Sequence, residues 1–353
     1  MNKKVVSLFS GAGGLDLGFQ KEGFDIIWAN DKFEDICRTY SNNIGDHITC
    51  KDLNEVDIQS IPEADIIIGG PPCQSFSLIG KRDPEDERGD LAWKYIEILD
   101  EKKPEVFLFE NVTGIKSAKT EDGEKALEVL KSLMEDLGYT IQVYTLNAAN
   151  YGVPQRRKRV FIVGSLNGNK ISKPQETHSK KPKKLVDGTK IKKWVSVKDA
   201  LDDLPLVNDE DKDGLSYEEE PKTNYQSMMR KNSEEVHNHY MPTHSDKDME
   251  IIKEVTPGGN YYDVPDDVAT DRIKRLKEEG GRTTCYGRLD PKEPSYTINT
   301  YFNRPNVGCN IHYSKDRLIS LREGLRLQSF PDDFILYSTT QRDYYNMVGN
   351  AVP

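Results

Sequence analysis

The first 164 residues alternate short apolar runs with longer stretches in which apolar residues recur at helical spacing. The apolar runs predict β-strands at residues 5–9, 26–29, 66–68, 106–109, 141–144 and 160–163. The spacing predicts helices at residues 91–99 and 126–137. This alternation is typical of an α/β fold, in which helices cover a mostly parallel sheet and ligands bind beyond the carboxyl ends of the strands.

The pattern changes at about residue 165. Residues 165–282 are rich first in lysine and then in acidic residues, and they contain few long apolar runs. We therefore expect a separate, smaller and loop-rich domain in this part of the chain. Apolar patterning returns in residues 283–353.

The charges of the chain are segregated along the sequence. A net charge of −10 and a pI near 5.3 would by themselves argue against a nucleic-acid partner. Residues 155–194, however, contain thirteen Lys or Arg against two Asp or Glu, whereas residues 199–220 contain ten acids against one base. Such a basic block is more often a solvated surface, but it is also what a phosphate-binding surface requires.

The cysteines and the hydropathy indicate a cytoplasmic protein. The five cysteines are an odd number and include no CxxC pair, which favours a reducing compartment over a disulfide framework or a zinc site. No apolar run approaches the length that spans a membrane, and the amino-terminal segment turns to glycine too soon for a secretion signal. A chain of 353 residues can bury a full core, divided between two or three domains.

The segment GGPPCQSFS, residues 69–77, follows a predicted buried strand. Prolines restrict the backbone and glycines let other groups approach it closely, so this loop should be rigid and should present Cys73 outside any helix. A single cysteine is more often a buried structural thiol than a nucleophile. Cys73 alone therefore leaves both interpretations open.

The segment VVSLFSGAGGLDLGF, residues 5–19, predicts a strand, a glycine-rich turn and the start of a helix. A dinucleotide-binding GxGxxG pattern would require glycine at position 16, where this chain has Asp16, which disfavours NAD. Asp31 stands at the end of the second predicted strand, where a carboxylate can accept hydrogen bonds from ribose hydroxyls. Asp52, near a probable third strand, could contact an adenine amino group. A surface carboxylate that caps a turn explains either residue equally well.

Taken together, the motifs closely resemble those of the cytosine-C5 DNA methyltransferases of bacterial restriction-modification systems. The family expectation is a Rossmann-like S-adenosylmethionine-dependent methyltransferase domain formed by residues 1–164 and 283–353, interrupted by a target-recognition domain at 165–282. The segments that carry the resemblance follow the family's order: LFSGAGG at 8–14, ND at 30–31, GGPPCQSFS at 69–77, ENV at 110–112, QRRKR at 155–159, LREGLRLQSFPDDF at 321–334 and VGNAVP at 348–353.

The resemblance implies four catalytic residues. Cys73 would attack C6 of a cytosine as a thiolate, which makes C5 nucleophilic enough to accept a methyl group. Glu110 of ENV would protonate or hydrogen-bond N3, a role that requires a carboxyl group with a raised pKa. Arg157 and Arg159 of QRRKR would contact the pyrimidine O2 and order the site around the thiolate. QRRKR taken alone is more often a solvated charge run.

The resemblance also implies a site for S-adenosylmethionine, which leaves as S-adenosylhomocysteine. Phe9 would face the adenine, and Asn350 and Val352 would return from the far end of the sequence to close the pocket. Lys32 stands where many relatives carry an apolar neighbour for adenine, and Phe33 is a candidate substitute. Relatives usually continue past AVP with a further helix, so we expect weakened cofactor affinity or stability. The cofactor residues implied are Phe9, Ser10, Gly11, Ala12, Gly13, Gly14, Asn30, Asp31, Asp52, Leu53, Gly70, Pro72, Leu91, Asn350 and Val352.

The implied substrate is double-stranded DNA. A cytosine within a duplex hides C6 from Cys73, so the base must be flipped out at a cost of a few kcal/mol. Gln74 and Ser77 could approach the vacated space, and Gln155 and Arg156 would contact the DNA. Residues 165–282 would read a short target sequence in the major groove. The protein is expected to act as a monomer without a metal, alongside a cognate restriction endonuclease that works separately.

Two other functions stay open at this stage. One is an RNA cytosine-C5 methyltransferase of the tRNA type, which shares much of the chemistry but typically lacks a large recognition insertion. The other is a catalytically silent DNA-binding or regulatory relative, which the intact Cys73, Glu110 and Arg159 disfavour. His237, His239 and His244 could be drawn as a metal site, but a polar loop explains them better.

Overall fold

The computed structural model describes residues 2–72, 91–120, 122–207 and 214–353. The chain divides into two compact units. The first comprises Met1–Leu146 with Lys158–Gln175, and the second comprises Asn147–Arg157 with Glu176–Pro353. The predicted functional boundaries at 164 and 283 stay a prediction, because a division by packing does not decide which residues bind the cofactor or read the DNA.

The first unit is built on a seven-stranded sheet with the order β3-β2-β1-β4-β5-β7-β6. Neighbours from β3 to β5 are parallel, and β7 runs antiparallel to β5. The mostly parallel Rossmann-like sheet expected from the sequence is thus confirmed. The strands are β1 (Lys4–Leu8), β2 (Asp25–Asp31), β3 (Ile48–Cys50), β4 (Ile66–Gly69), β5 (Val106–Val112), β6 (Thr140–Asn147) and β7 (Lys158–Ser165).

Helices cover both faces of this sheet, which explains why its central strands are almost continuously apolar. On one face Val6, Leu8 and Ile67 belong to a large cluster completed by α3 and α4. On the other face Val5 and Ile68 pack with side chains from α1 and its following turn. The helices of this unit are α1 (Gly14–Lys21), α2 (Glu34–Asn43), α3 (Leu91–Lys102) and α4 (Ala126–Asp136).

The six strands predicted from apolar runs are all present, as are the two predicted helices. The probable third strand near Asp52 is β3, whose three residues Ile-Thr-Cys are too few for a pattern to define its bounds. That strand lies at the edge of the sheet, beside β2.

The second unit contains short strands and helices around its own apolar clusters. One cluster joins α7, α8 and the strand β14 through Ile252, Ile273 and Ile311. A three-stranded sheet has the order β8-β10-β9. The strands are β8 (His178–Ser179), β9 (Lys183–Lys184), β10 (Lys190–Lys193), β11 (Leu215–Ser216), β12 (Glu235–Val236), β13 (Gly287–Arg288) and β14 (Cys309–Ile311). The helices are α5 (Val197–Leu201), α6 (Asn224–Met229), α7 (Asp246–Glu254), α8 (Asp271–Glu279), α9 (Leu321–Leu327) and α10 (Gln341–Asn350).

Charged side chains form part of the interior of this second unit. Arg326 of α9 is fully buried and donates to both Asp203 and Asp332, with nitrogen–oxygen distances of 2.6 Å to each. Arg317 donates two hydrogen bonds of 2.7 Å to the buried carboxylate of Glu323. Burial opposes the charge of Glu323, but Arg317 outweighs it and holds the pKa of this carboxyl far below its usual range. The segment LREGLRLQSFPDDF is therefore a structural element of this unit.

Candidate active site

The glycine-rich turn after β1 has a backbone that most residues disfavour. Phe9, Gly11 and Gly13 have φ angles of 54°, 56° and 90°. A Cβ atom at Gly13 would lie 2.7 Å from a side-chain carbon of Ile44, and its positive φ would strain any larger residue. A Cβ atom at Gly11 would meet nothing within 4 Å, so the turn leaves open space beside its backbone.

Asp31, at the end of β2, lies next to this open space. One carboxylate oxygen accepts the backbone N–H of Gly11 at 3.1 Å, and the other accepts that of Phe33 at 3.2 Å. Burial raises the pKa of Asp31, while the N–H groups of Phe33 and Gly11 oppose this shift. The carboxylate retains acceptor capacity, because each oxygen offers two lone pairs.

Asn30 and Ser10 fix the backbone around Asp31. The buried amide of Asn30 donates to the carbonyls of Thr49 and Lys51 at 3.0 and 2.8 Å, and so holds β3 against β2. The backbone N–H of Ser10 donates to the Asn30 carbonyl at 2.9 Å. The Asn30 side chain and the Ser10 backbone therefore hold the strand ends beside Asp31, and a direct contact of either residue with the cofactor stays a prediction.

Asp52 lies after β3 and caps the short helix Leu53–Glu55 by accepting the N–H of Asn54 at 3.1 Å. Its other oxygen is 3.4 Å from Nζ of Lys32. Lys32 also lies 5.4 Å from the ring centroid of Phe33, which is 56% exposed. An exposed aromatic ring and a carboxylate thus stand beside Asp31, as an adenosine group requires.

Asp16, which breaks the dinucleotide pattern, is fully buried beneath the glycine-rich turn. It accepts hydrogen bonds from Ser7 Oγ at 3.0 Å and from the Tyr40 hydroxyl at 2.8 Å, and Tyr40 is 3.1 Å from His47 Nε2. Burial raises the pKa of Asp16 to about 6. In the sequence Asp16 is recognisable only as a missing glycine, because Tyr40 and His47 of this buried network lie far from it along the chain.

These residues fit S-adenosylmethionine better than a dinucleotide. The turn offers open backbone, a carboxylate for ribose hydroxyls and an exposed ring, and the glycine that a pyrophosphate motif needs is replaced by buried Asp16. The remaining predicted cofactor residues of this unit flank the same strand ends, and their contacts with the cofactor stay predictions. Ala12 and Leu53 are buried, Gly14 begins α1, Leu91 begins α3 and is partly buried, Gly70 follows β4, and Pro72 is exposed.

Glu110, near the end of β5, is 8% exposed and lies 2.9 Å from Nε of Arg159 on the neighbouring strand β7. A Cβ atom at Gly70 would lie 2.9 Å from Oε2 of the same carboxylate. The neighbouring Asn111 donates from its buried amide to the Pro71 carbonyl at 2.9 Å. ENV therefore holds the start of the GGPPCQSFS segment beside Glu110.

Asn111 is a positioning residue that the sequence analysis did not single out, although it stands within ENV. Cys73, Gln74 and Ser77 fall in residues 73–90, which lie outside the described part of the chain. The backbone that leads to Cys73 is described as far as Pro72. The roles of these three residues stay predictions.

In the second unit, Gln155 and Arg157 join segments that are far apart in sequence. Gln155 is fully buried, donates to the Leu327 carbonyl at 3.1 Å and accepts the N–H of Ile298 at 3.1 Å. Arg157 is 1% exposed and donates to the carbonyls of Ile298 and Gly349 at 3.0 and 2.9 Å. These bonds support a positioning role for both side chains, and their predicted contacts with DNA or the pyrimidine stay predictions.

Arg156 is the most accessible residue of the QRR segment, residues 155–157. Its guanidinium lies 4.3 Å from the ring centroid of Tyr296, which is 44% exposed. Asn350 ends α10 and is exposed, and Val352 is partly exposed. The preceding Gly349 is required by packing, since a Cβ atom there would lie 2.4 Å from the backbone nitrogen of Thr300.

The described residues show neither a metal-binding cluster nor a membrane-spanning helix. Within residues 2–72, 91–120, 122–207 and 214–353, no group of three or more His, Cys, Asp or Glu side chains could hold a metal ion. Over the same ranges, no helix is long and apolar enough to cross a membrane. His239 instead bonds Ser320 Oγ and the Pro205 carbonyl, at 2.7 and 2.9 Å.

Comparison with known proteins identifies the family. Residues 3–353 match the C-5 cytosine-specific DNA methylases. The Type II methyltransferase M.AgeI of Thalassovita gelatinovora is 33% identical over 417 residues, covering 99% of this chain and 96% of the relative. M.MthTI of Methanothermobacter thermautotrophicus is 35% identical over 358 residues, covering 100% and 94%. A crystal structure described as a candidate DNA modification methyltransferase of an E. coli prophage superposes with a TM-score of 0.71 at 25% identity, covering 99% and 95%. The chain belongs to the C-5 cytosine-specific DNA methylases.

Proposed function

We propose that this protein methylates C5 of one cytosine within a short double-stranded DNA sequence, with Cys73 as the nucleophile and Glu110 as the group that acts on N3. The observation that carries the proposal is the arrangement around Glu110. Its carboxylate is held by Arg159 at 2.9 Å and borders Gly70 of the GGPPC segment. Glu110 and Arg159, two side chains that the proposed chemistry uses, thus lie on the adjacent strands β5 and β7.

S-adenosylmethionine, when bound, supplies the electrophilic methyl group. Asp31 is proposed to accept the ribose hydroxyls, and Phe33 to cover one face of the adenine in place of the more usual neighbour at Lys32. The open backbone at Gly11 and the N–H contacts that hold Asp31 support this assignment. Asp52 is proposed to accept a hydrogen bond from the adenine amino group, which would weaken its present contact with Lys32.

The proposed proton movements concern the flipped cytosine. The Cys73 thiolate forms a bond to C6, and the displaced electron pair moves into the ring toward C5 as Glu110 delivers a hydrogen bond or a proton to N3. After C5 has been methylated, a base removes its proton, and the electron pair of that C–H bond re-forms the C5–C6 double bond as the bond to Cys73 breaks. Any proton delivered to N3 returns to Glu110, so the thiolate, the carboxyl group and the aromatic ring are regenerated. Arg159 would hold the carboxyl of Glu110 in the orientation that N3 requires.

The target sequence is proposed to be read by residues within 165–282, with Arg156 near the phosphates. The Type II names of the relatives support a restriction-modification role, in which a separate endonuclease would cleave the unmethylated sequence. Gln74 and Ser77 are proposed to approach the space left by the flipped base.

The test is transfer of a labelled methyl group from S-adenosylmethionine to unmethylated genomic DNA, followed by sequencing that detects 5-methylcytosine. We expect one short motif to be modified by the wild-type protein and not by Cys73→Ser, with Glu110→Gln at least a hundredfold slower. Glu105→Gln is the matched control, because this carboxylate is 60% exposed and pairs with Lys3 at the surface. Modification of transfer RNA without modification of DNA would overturn the proposal.

A further inference from the structure

The β9–β10 hairpin of the second unit, residues 183–193, carries an unusual concentration of positive charge. It contains five lysines and one aspartate in a chain whose net charge is −10. All five lysines are exposed, while Ile191 at the centre of β10 is buried. The charge is therefore presented to solvent from a structured element with an apolar anchor.

The register of the hairpin places three of these lysines on one face. Lys190 is directly opposite Lys184, and Ile191 is opposite Lys183. Because side chains alternate along a strand, Lys192 points to the same side as Lys190 and away from the side of Ile191. Lys184, Lys190 and Lys192 form what we call the lysine face. Its neighbouring positions are about 5 Å apart across the strands and about 7 Å apart along them.

The described part of the chain does not neutralise this face. Among the described residues, no carboxylate forms an ion pair with any of the five hairpin lysines. Other exposed lysines of the same unit do have such partners, for example Lys247 with Glu250 and Lys277 with Asp266. Like charges directly opposite each other destabilise a strand pair. The hairpin thus retains a repulsion that an anionic ligand would relieve.

The hairpin has a defined shape. Its turn is closed by a hydrogen bond of 2.8 Å from the Leu185 N–H to the Thr189 carbonyl, and Gly188 adopts a φ of 90°. This turn presents Val186, which is fully exposed at its tip. A rigid hairpin can hold charges against a ligand at a smaller entropic cost than a mobile tail.

The base of the hairpin is joined to the segment that leads into QRR. The Lys192 N–H donates to the Thr177 carbonyl at 2.9 Å, and the Thr177 N–H donates to the Asn150 carbonyl at 3.0 Å. The indole of Trp194 donates to the side chain of Asn150 at 3.0 Å. Asn150 lies five residues before Gln155 in the same unit. The lysine face is therefore fixed relative to QRR.

We propose that the lysine face binds the phosphate backbone of the DNA substrate and adds affinity that does not depend on sequence. This inference rests on the proposed function, since it concerns the same DNA. Lysine ammonium groups suit phosphates as point charges and carry no base-reading geometry. The hairpin would accordingly strengthen binding to cognate and non-cognate duplexes alike, and leave target choice to other residues of the second unit.

The experiment compares Lys184→Gln/Lys190→Gln/Lys192→Gln with the wild-type protein. Dissociation constants for a cognate and a non-cognate 30-base-pair duplex are measured from 50 to 300 mM NaCl. Each lost phosphate contact lowers the slope of log K against log salt by about 0.9, so we expect the slope to fall by up to about 3. At 0.1 M salt, affinity should fall roughly 10- to 100-fold for both duplexes.

Two controls separate this outcome from other causes. Lys247→Gln/Lys253→Gln/Lys274→Gln removes the same charge from α7 and α8, where Glu250, Glu254 and Asp266 would repel phosphate, and should leave the slope unchanged. Arginine at all three hairpin positions should retain the wild-type slope. The glutamine variant should melt no lower than wild type, because it relieves the Lys184–Lys190 repulsion.

The outcomes distinguish this inference from the proposed function. A wild-type protein that methylates DNA, together with a hairpin variant of unchanged salt slope, would overturn the inference alone. A variant that loses discrimination between the two duplexes would also overturn it, because the lysines would then be reading bases. A wild-type protein that neither binds nor methylates DNA would overturn both.

Discussion

Adding a methyl group at Gly70 should displace the carboxylate of Glu110 and slow methyl transfer without unfolding the protein. The Cβ atom of Gly70→Ala would lie 2.9 Å from Oε2 of Glu110, whereas ordinary contacts begin at 3.4 Å. The carboxylate must therefore move by about 0.5 Å, and Arg159, 2.9 Å from its other oxygen, restricts where it can go. A misplacement of 1 Å can cost about a hundredfold in rate, so we expect kcat to fall about tenfold.

Gly69→Ala provides the matched comparison, because it adds the same group one residue earlier. Its Cβ atom would lie 2.8 Å from the backbone oxygen of Leu8 and 3.1 Å from the ring of Tyr95, neither of which can move easily. Overpacking of this kind costs about 1–3 kcal/mol of folding free energy. Gly69→Ala should therefore lower the melting temperature, while Gly70→Ala should change it little.

The assay measures kcat at saturating DNA and S-adenosylmethionine, with melting temperature and S-adenosylhomocysteine binding determined on the same preparations. The reasoning fails if Gly70→Ala retains the wild-type kcat, since the Glu110 carboxylate would then not need its observed position. It also fails if Gly70→Ala loses as much stability as Gly69→Ala, because slow turnover would then reflect a disturbed fold.

Three further changes test other parts of the structure. Burial raises the pKa of Asp16 from 3.8 to about 6, so its contribution to stability is present below about pH 4 and is lost as the pH rises through 6, a loss of roughly 3 kcal/mol. In denaturant unfolding, the free energy of unfolding of Asp16→Asn should therefore rise relative to that of the wild-type protein between pH 4 and pH 6, and a difference that does not change with pH would contradict this. Arg326→Met removes the cation that lies 2.6 Å from both Asp203 and Asp332, and leaves them the more distant Arg230 and Arg322 at 3.4 and 4.0 Å. It should cost about 3–5 kcal/mol in unfolding experiments, whereas Lys198→Met, at the surface, should cost under about 1 kcal/mol. Gly13→Ala should bind S-adenosylhomocysteine at least tenfold more weakly, as measured by calorimetry, since its φ is 90° and its Cβ atom would lie 2.7 Å from Ile44. Gly18→Ala, whose Cβ atom meets nothing within 4 Å, should bind S-adenosylhomocysteine normally.

The sequence by itself determined the elements of the first unit and the family. Strands buried on both faces are largely apolar, which is why β4 is an uninterrupted apolar run, β5 begins with four apolar residues and three of the five residues of β1 are apolar. The family could be recognised because several short segments occur in the family's order and contain residue types that the chemistry uses. The bounds of a short element such as β3 could not be predicted, since three residues carry no period.

Only the tertiary structure decided which polar residues support the site and which are available to a ligand. Gln155 and Arg157 look like an exposed basic run in sequence, yet both are buried and bond the backbone at Ile298. Asp16 looks like a lost glycine, yet it joins Ser7 to Tyr40 beneath the turn. Burial and hydrogen-bond partners depend on residues distant in the chain, so local pattern cannot supply them.

The lysines of residues 183–193 show the same division. Composition established that they are dense, but a dense charge run is equally consistent with a solvated tail. Their pairing in β9 and β10 determined that Lys184 faces Lys190 and that Ile191 anchors the strand. Strand register fixes which side chains share a face, and register is set by backbone hydrogen bonds that the sequence only partly specifies.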